Sequence, residues 1–139
     1  MKKIVNDILP SEEFTALTIW PLIFIQRAKE KLFGKVAENH ENIHGKQQEE
    51  MLFIGIVLAV VLFLFIDWWS LLFIPIFFWL YIIEWMVRLI IYRDKDEAYY
   101  NISFEQEAYD HQDERYYLEV RKDFAWLRYV FIRTRRTCP

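Results

Sequence analysis

Apolar positions in this chain are gathered into two long runs instead of being spread along it. Met51 to Ile66 carries no charge, Asp67-Trp68-Trp69-Ser70 interrupts, and Leu71 to Ile83 is apolar again and continues through Glu84-Trp85-Met86-Val87-Arg88 to Tyr92. A helix that crosses a bilayer needs about 20 apolar residues. The first run reaches that length if Gln47 to Glu50 lie among the headgroups and Trp68 and Trp69 at the opposite interface; the second does so if Arg88 snorkels. The short connector predicts two antiparallel helices, a transmembrane hairpin over residues 51–93. Lys29, Lys31, Lys35, Lys46, Arg88, Arg93 and Lys95 flank the open end, and the Asp67 turn has no Lys or Arg. That asymmetry predicts an integral membrane protein with both termini cytoplasmic. The competing reading, a hairpin buried in a soluble protein, needs more chain to cover both helices than 139 residues supply.

Polar segments on either side carry weaker periodicities. Phe14 to Ile25 is rich in β-branched and aromatic residues and too short to span as a helix; Pro21 makes it an edge strand if it is a strand, and the membrane interface is the other place for it. Asn101 to His111 predicts a helix with Ser103 as N-cap and Gln106 three residues on, the spacing continuing through Tyr116, Tyr117 and Val120. The expected fold is mainly α with a short N-terminal β segment. Four stretches follow: a β or interfacial segment (1–36), a helix around His40 to His44 (37–50), the hairpin (51–93), and a second helix with a basic aromatic tail (94–139).

Composition sharpens this picture in places. The chain is 55% hydrophobic yet 27% charged, and almost all the charge lies outside residues 51–83, as a membrane hairpin requires. A net charge of −3 gives no basic field for nucleic acid. The aromatic stretch Phe124 to Arg133, with its interleaved arginines, reads instead as an interfacial segment reaching lipid phosphates. Cys138 is the single cysteine, so a disulfide within the chain and a CxxC metal site are both excluded. The acidic residues after Lys2 and Lys3 leave no clean signal-peptide pattern.

The chemistry is concentrated in His40-Glu41-Asn42-Ile43-His44, an HExxH pattern just before the first apolar run. Two histidines four apart share a helix face and can grip one Zn²⁺, with the adjacent glutamate placed to act on water. So short a pattern also recurs by chance, and a third ligand is needed. A hairpin returns the chain to the side it left, which brings residues after Arg93 to the histidines. Glu105 and Glu107 are two apart on the predicted helix and point in different directions, so only one of them faces the metal; His111 shares the face of Glu107. An exposed helix glutamate paired with Arg115 or Lys122 is the bland alternative for Glu107. Glu84 and Arg88, four apart in the second run, read as an ion pair near the interface; alternatively Glu84 bonds one of the histidines.

His40-Glu41-x-x-His44 followed by a helix carrying Glu107-Ala108 resembles the gluzincin metallopeptidases, and the order of motif, membrane span and glutamate helix is similar to the membrane-integrated CAAX prenyl protease group. Gln47-Gln48 and Ile102-Ser103-Phe104-Glu105-x-Glu107-Ala108-Tyr109 also resemble small bacterial inner-membrane proteins of unassigned substrate. The resemblance implies His40 and His44 as zinc ligands, Glu107 as the third ligand and Glu41 as general base. His111 stands where gluzincins often have an acidic residue, which implies a catalytic or supporting role for it; Tyr92, Tyr99, Tyr100 and Tyr109 are further candidates to steady an oxyanion. The expected function is hydrolysis of peptide or membrane-protein substrates at the cytoplasmic membrane face. From a different class come a membrane protein using the same ligands as a structural or sensory zinc site, and a membrane interaction subunit without metal.

Overall fold

The computed structural model describes residues 1–131; the tail residues Arg133, Arg135, Arg136 and Cys138 lie outside the described residues. The N-terminal segment forms three strands, β1 (Lys2–Asn6), β2 (Ala16–Ile19) and β3 (Leu22–Gln26), in the order β1-β3-β2. β3 pairs parallel with β1 and antiparallel with β2. The stretch read as one edge strand is therefore a hairpin. Trp20 and Pro21 make its turn, where the missing Pro21 N–H costs no ladder bond. β1 and β2 are the edge strands, and the flank of β2 lies against the helix that follows.

Lys35 to Ile66 is one unbroken helix, α1, of 32 residues and about 48 Å. No proline separates the expected motif helix from the expected span, so the two fuse. The first half of α1 is buried through His40, Ile43, His44, Gln47, Gln48, Glu50 and Met51; the second half exposes Phe53, Val57, Val60, Leu64 and Phe65. Among the described residues, α1 is the one helix long and apolar enough to cross a membrane. It stops at Asp67, whose φ of 80° leaves the helical region.

The second arm differs from the expected span. Trp68 to Phe73 form a 3₁₀ segment that folds back along α1 as far as Gly55, where a β-carbon would lie 2.5 Å from the Phe73 carbonyl oxygen and 2.6 Å from that of Ile74. Only a glycine admits backbone this close. Pro75 follows, and α2 (Ile76–Tyr92) is left with 17 residues, about 26 Å against the roughly 30 Å of a bilayer core. α2 is still strongly apolar and exposes Phe78, Trp79, Ile82, Ile83, Met86, Val87, Ile90 and Ile91.

The remaining chain is a series of short helices, α3 (Lys95–Tyr100), α4 (Ser103–His111), α5 (Tyr117–Val120) and α6 (Leu127–Phe131); α4 packs on the polar half of α1, α3 on α2 and α6 on α4. Asp94 caps α3 by accepting from the amides of Asp96 and Glu97. α4 ends at His111, so the periodicity read through Val120 is broken into two helices. Met51, Phe77, Ile102, Phe104 and Trp126 form the core between α1, α2 and α4, while Ile43, Ala108 and Tyr117 form a second cluster on the other side of the α1–α4 contact.

Candidate metal centre

Helical spacing puts His40, His44, Gln47 and Met51 on one stripe of α1, and that stripe faces α4. α4 answers with Glu105 and, one turn later, Tyr109. The two imidazoles meet edge to face, with Nε2 of His40 and Nε2 of His44 3.1 Å apart. The Glu105 carboxylate straddles the pair: Oε2 lies 3.4 Å from His40 Nε2 and Oε1 lies 3.3 Å from His44 Nε2. Zinc takes such ligands at about 2.0–2.1 Å, and a tetrahedral arrangement at that radius separates ligand atoms by about 3.3 Å. Taken over both carboxylate oxygens, the spacings lie near that edge length, and one ligand atom from each residue falls within 4.8 Å of the others. Glu105 Oε2 is buried and has no hydrogen-bond partner, so one lone-pair-bearing oxygen is free to serve a cation. Among the described residues, this is the one group of three or more His, Cys, Asp or Glu side chains that converges closely enough to hold a metal ion.

The electrostatics agree with the geometry. Exposure of His40, His44 and Glu105 is 8%, 7% and 3%. Burial alone would raise the Glu105 pKa, but the facing His44 and His40 rings reverse this and hold its carboxyl well below the usual carboxylate range. Burial opposes charging His44, yet the Glu105 carboxylate outweighs it and raises His44 to about 9. An anionic Glu105 in this setting calls for a positive charge beside it, which an imidazolium or a divalent metal can supply. Tyr81, from α2, donates to Glu105 Oε1 at 2.8 Å and steadies the carboxylate from the side away from Oε2. Tyr109 packs its ring against His40 at 4.6 Å, and burial followed by the Glu105 charge raises its phenol, keeping it a neutral donor.

Glu41 lies on the neighbouring face of α1, toward β2. Thr18 Oγ1 donates to its carboxylate at 2.7 Å, and its charge reaches His44. Gln48, one turn beyond His44, accepts from the Trp20 amide and donates to the Thr18 carbonyl, occupying two outward-facing groups of the β2 edge. The edge strand thus lies beside the motif helix as a substrate rail would, but its Thr18–Trp20 end is already bonded.

Two expected site residues are elsewhere. Glu107, expected as third ligand, is 0% exposed and points away from the histidines. Tyr117 and Arg121 Nε donate to its Oε1; Gln47 Nε2 and Arg121 donate to its Oε2. Four donors fill the lone-pair sites of a carboxylate, leaving none for a metal. The pairing foreseen with Arg115 or Lys122 is made instead by Arg121, which also grips Glu50. His111 follows Glu107 onto that same face. It stacks on Tyr117 at 3.8 Å, pairs with Glu114 through Nδ1 and meets Arg128 and Tyr129 through Nε2, so it has no place among the converging ligands.

Glu84 keeps the expected ion pair with Arg88, 3.0 Å, but does not touch a histidine. Its carboxylate accepts from both the amide and the hydroxyl of Ser103 and so caps α4, the helix that carries Glu105. Ser103 is accordingly the first helical residue rather than the cap expected of it, with Ile102 at the cap position. Tyr81, Thr18 and Arg121 had no role in the sequence reading; Gln47 entered it only as a headgroup residue and in the Gln47-Gln48 resemblance, although it lies on the stripe of His40 and His44. Of the other tyrosines considered, Tyr99 and Tyr100 meet edge to face, and Tyr100 packs against Tyr109. Comparison with family models, with curated proteins and with solved structures returned no match.

Proposed function

We propose that the chain is a membrane-anchored zinc metallopeptidase of gluzincin type, with His40, His44 and Glu105 as ligands and Glu41 as general base. The observation that carries this reading is the convergence of two imidazole Nε2 atoms on a buried carboxylate with an unpartnered oxygen, on the helix that also bears Glu41. A bound Zn²⁺ supplies Lewis-acid activation of water and of a carbonyl. Glu41 receives and redelivers the proton, and Tyr109, whose ring packs on His40, is a neutral donor beside the ligands. The exposed apolar end of α1, the 68–73 segment and the apolar face of α2 anchor the protein as a hairpin in the bilayer. The lysines and arginines at its open end put the site and both termini on the cytoplasmic side. Substrates on this reading are peptides or membrane-protein segments close to the bilayer surface.

The test is metal content and peptidase activity of detergent-purified protein. Wild type should carry one zinc. His44→Ala and Glu105→Ala should lose it. Glu41→Gln should keep the zinc and lose hydrolysis of a peptide library. A second reading, a structural zinc site, draws on the burial of all three ligands and on the Thr18 bond that engages Glu41. It predicts that Glu41→Gln keeps zinc and stability with no activity to lose, whereas zinc removal lowers the melting temperature. Wild type without stoichiometric zinc sinks both.

A further inference from the structure

We propose that Gln47 is a positioning residue for this centre: held by Glu107 and Arg121, it fixes the hydrogen of His44 on Nδ1 and leaves Nε2 free to bind metal. The inference rests on the zinc reading above. It starts from the hydrogen-bonding capacity of one side-chain amide. Gln47 Nε2 lies 3.0 Å from the Phe104 carbonyl oxygen and 3.0 Å from Glu107 Oε2. Both are acceptors only, so the amide nitrogen belongs there; turning the amide over would set its oxygen against two other oxygens. The Gln47 oxygen therefore faces His44 Nδ1, at 2.9 Å, and can only accept. His44 must carry its hydrogen on Nδ1, and the lone pair of the neutral ring then sits on Nε2, which points at His40 Nε2 and Glu105.

The anchor behind Gln47 is built for rigidity. Glu107 is fully buried and is held by Arg121 through both of its oxygens, and the Arg121 side chain, 2% exposed, is held in turn by Glu50. Gln47 and Glu50 both come from α1, Glu107 from α4, and Arg121 from the end of α5. The contacts that close these elements together thus also orient the ring of His44. This gives Glu107 an indirect role at the centre in place of the ligand role its spacing suggested. A metal-binding histidine commonly donates its other ring N–H to such a partner, and loss of the partner weakens metal binding by about 10–100-fold. His40 is the internal contrast, since its Nδ1 is buried without a partner.

The experiment uses zinc-loaded full-length protein with ¹⁵N-labelled histidine. In wild type, the His44 Nδ1–H proton should resonate well downfield of that of His40, as a hydrogen-bonded ring N–H does. Gln47→Met, of similar length but without the amide oxygen, should move that resonance upfield and raise the zinc dissociation constant by about 10–100-fold against a competing chelator. Glu107→Gln should weaken zinc in the wild-type background and add nothing in the Gln47→Met background, because it acts through Gln47. Unchanged zinc affinity in Gln47→Met, independent losses in the double variant, or a wild-type His44 Nδ1–H without a hydrogen-bond shift would each overturn the proposal. Wild type that binds no zinc refutes the centre itself, a different failure from wild type that binds zinc and ignores Gln47. The wild-type resonance decides the matter even where a variant does not fold.

Discussion

Glu105 and Glu107 are two residues apart on one helix, both buried, and replacement by alanine should damage the protein in opposite ways. Glu107→Ala removes the acceptor of four hydrogen bonds. Arg121 is left with Glu50 and the Lys122 carbonyl, Tyr117 loses its acceptor, and the Gln47 amide nitrogen keeps only the Phe104 carbonyl. Breaking a buried ion pair by removing one partner costs about 3–5 kcal/mol. The remaining Glu50 softens the charge imbalance, while each orphaned donor adds about 1–3 kcal/mol. The two corrections oppose, so about 3–5 kcal/mol stands, a large part of the 5–15 kcal/mol that typically separates folded from unfolded protein.

Glu105→Ala deletes the bond from Tyr81 but also relieves the burial of a carboxylate with an unpartnered oxygen. Above pH 9, where His44 no longer contributes an ion pair with Glu105, those terms offset to within about 1–2 kcal/mol in the metal-free protein. Denaturant unfolding followed by tryptophan fluorescence, with zinc measured by mass spectrometry on the same samples, separates the two variants. Glu105→Ala should be empty of zinc and, measured above pH 9, near wild type in metal-free stability. Glu107→Ala should be strongly destabilised. A Glu107→Ala protein of wild-type stability that lacks zinc, beside a Glu105→Ala protein that retains it, would reverse the assignment.

Three further outcomes follow from neighbouring contacts. Glu84→Ala uncaps α4 at Ser103 and should cost about 0.5–2 kcal/mol in thermal unfolding, together with weaker zinc binding because Glu105 lies in that first turn; unchanged values for both would remove capping from the account. Gly55→Ala puts a β-carbon against two backbone carbonyls that cannot rotate away, so about 1–3 kcal/mol should be lost with zinc content intact; an unchanged melting temperature would show that the 68–74 segment is not seated there. In metal-free protein, His44 is raised from 6.5 to about 9, so its stabilising contribution is complete below pH 6.5 and disappears as pH rises through 9. Glu105 is lowered from 4.5, so its contribution is present above pH 4.5 and fades as pH falls below it. Chelator-treated protein should therefore melt highest between pH 4.5 and 6.5, and His44→Ala should flatten the alkaline side of that profile.

What the sequence disclosed, and what it withheld, divides along the range of the interactions. The HExxH stripe was legible because i, i+4 spacing is a property of a single helix, and α1 keeps His40 and His44 together whatever it packs against. The long apolar run after it was legible for the same reason. The second arm was harder, because the 3₁₀ turn at Trp68 to Phe73 depends on Gly55 admitting backbone from a distant segment, and hydropathy carries no record of that contact. The choice between Glu105 and Glu107 was harder still. Both positions read as a glutamate on the first turns of a polar helix, and periodicity states only that they face apart. What separates them is the rotation of α4 about its axis. That rotation is set by Glu84 at its cap, by Ala108 against Ile43, and by Arg121 reaching Glu107 from fourteen residues downstream.

Arg121 is the more telling of these. A guanidinium with five donors, almost wholly buried, must be met by carboxylates, and Glu50 and Glu107 are the two that meet it. Once Glu107 is committed to Arg121, Glu105 turns toward the histidines with one oxygen unsatisfied. On the zinc reading, the ligand is thus selected by elimination through a structural ion pair, and the same pair reaches back through Gln47 to the nitrogen of His44 that would face the metal. Structure and chemistry at this centre share one hydrogen-bond network, so a substitution at Arg121, far from any ligand in sequence, should disturb zinc binding and stability together, whereas Tyr81→Phe, which removes the hydroxyl bonded to Glu105 and keeps the ring against Phe77 and Phe104, should disturb zinc binding with little loss of stability.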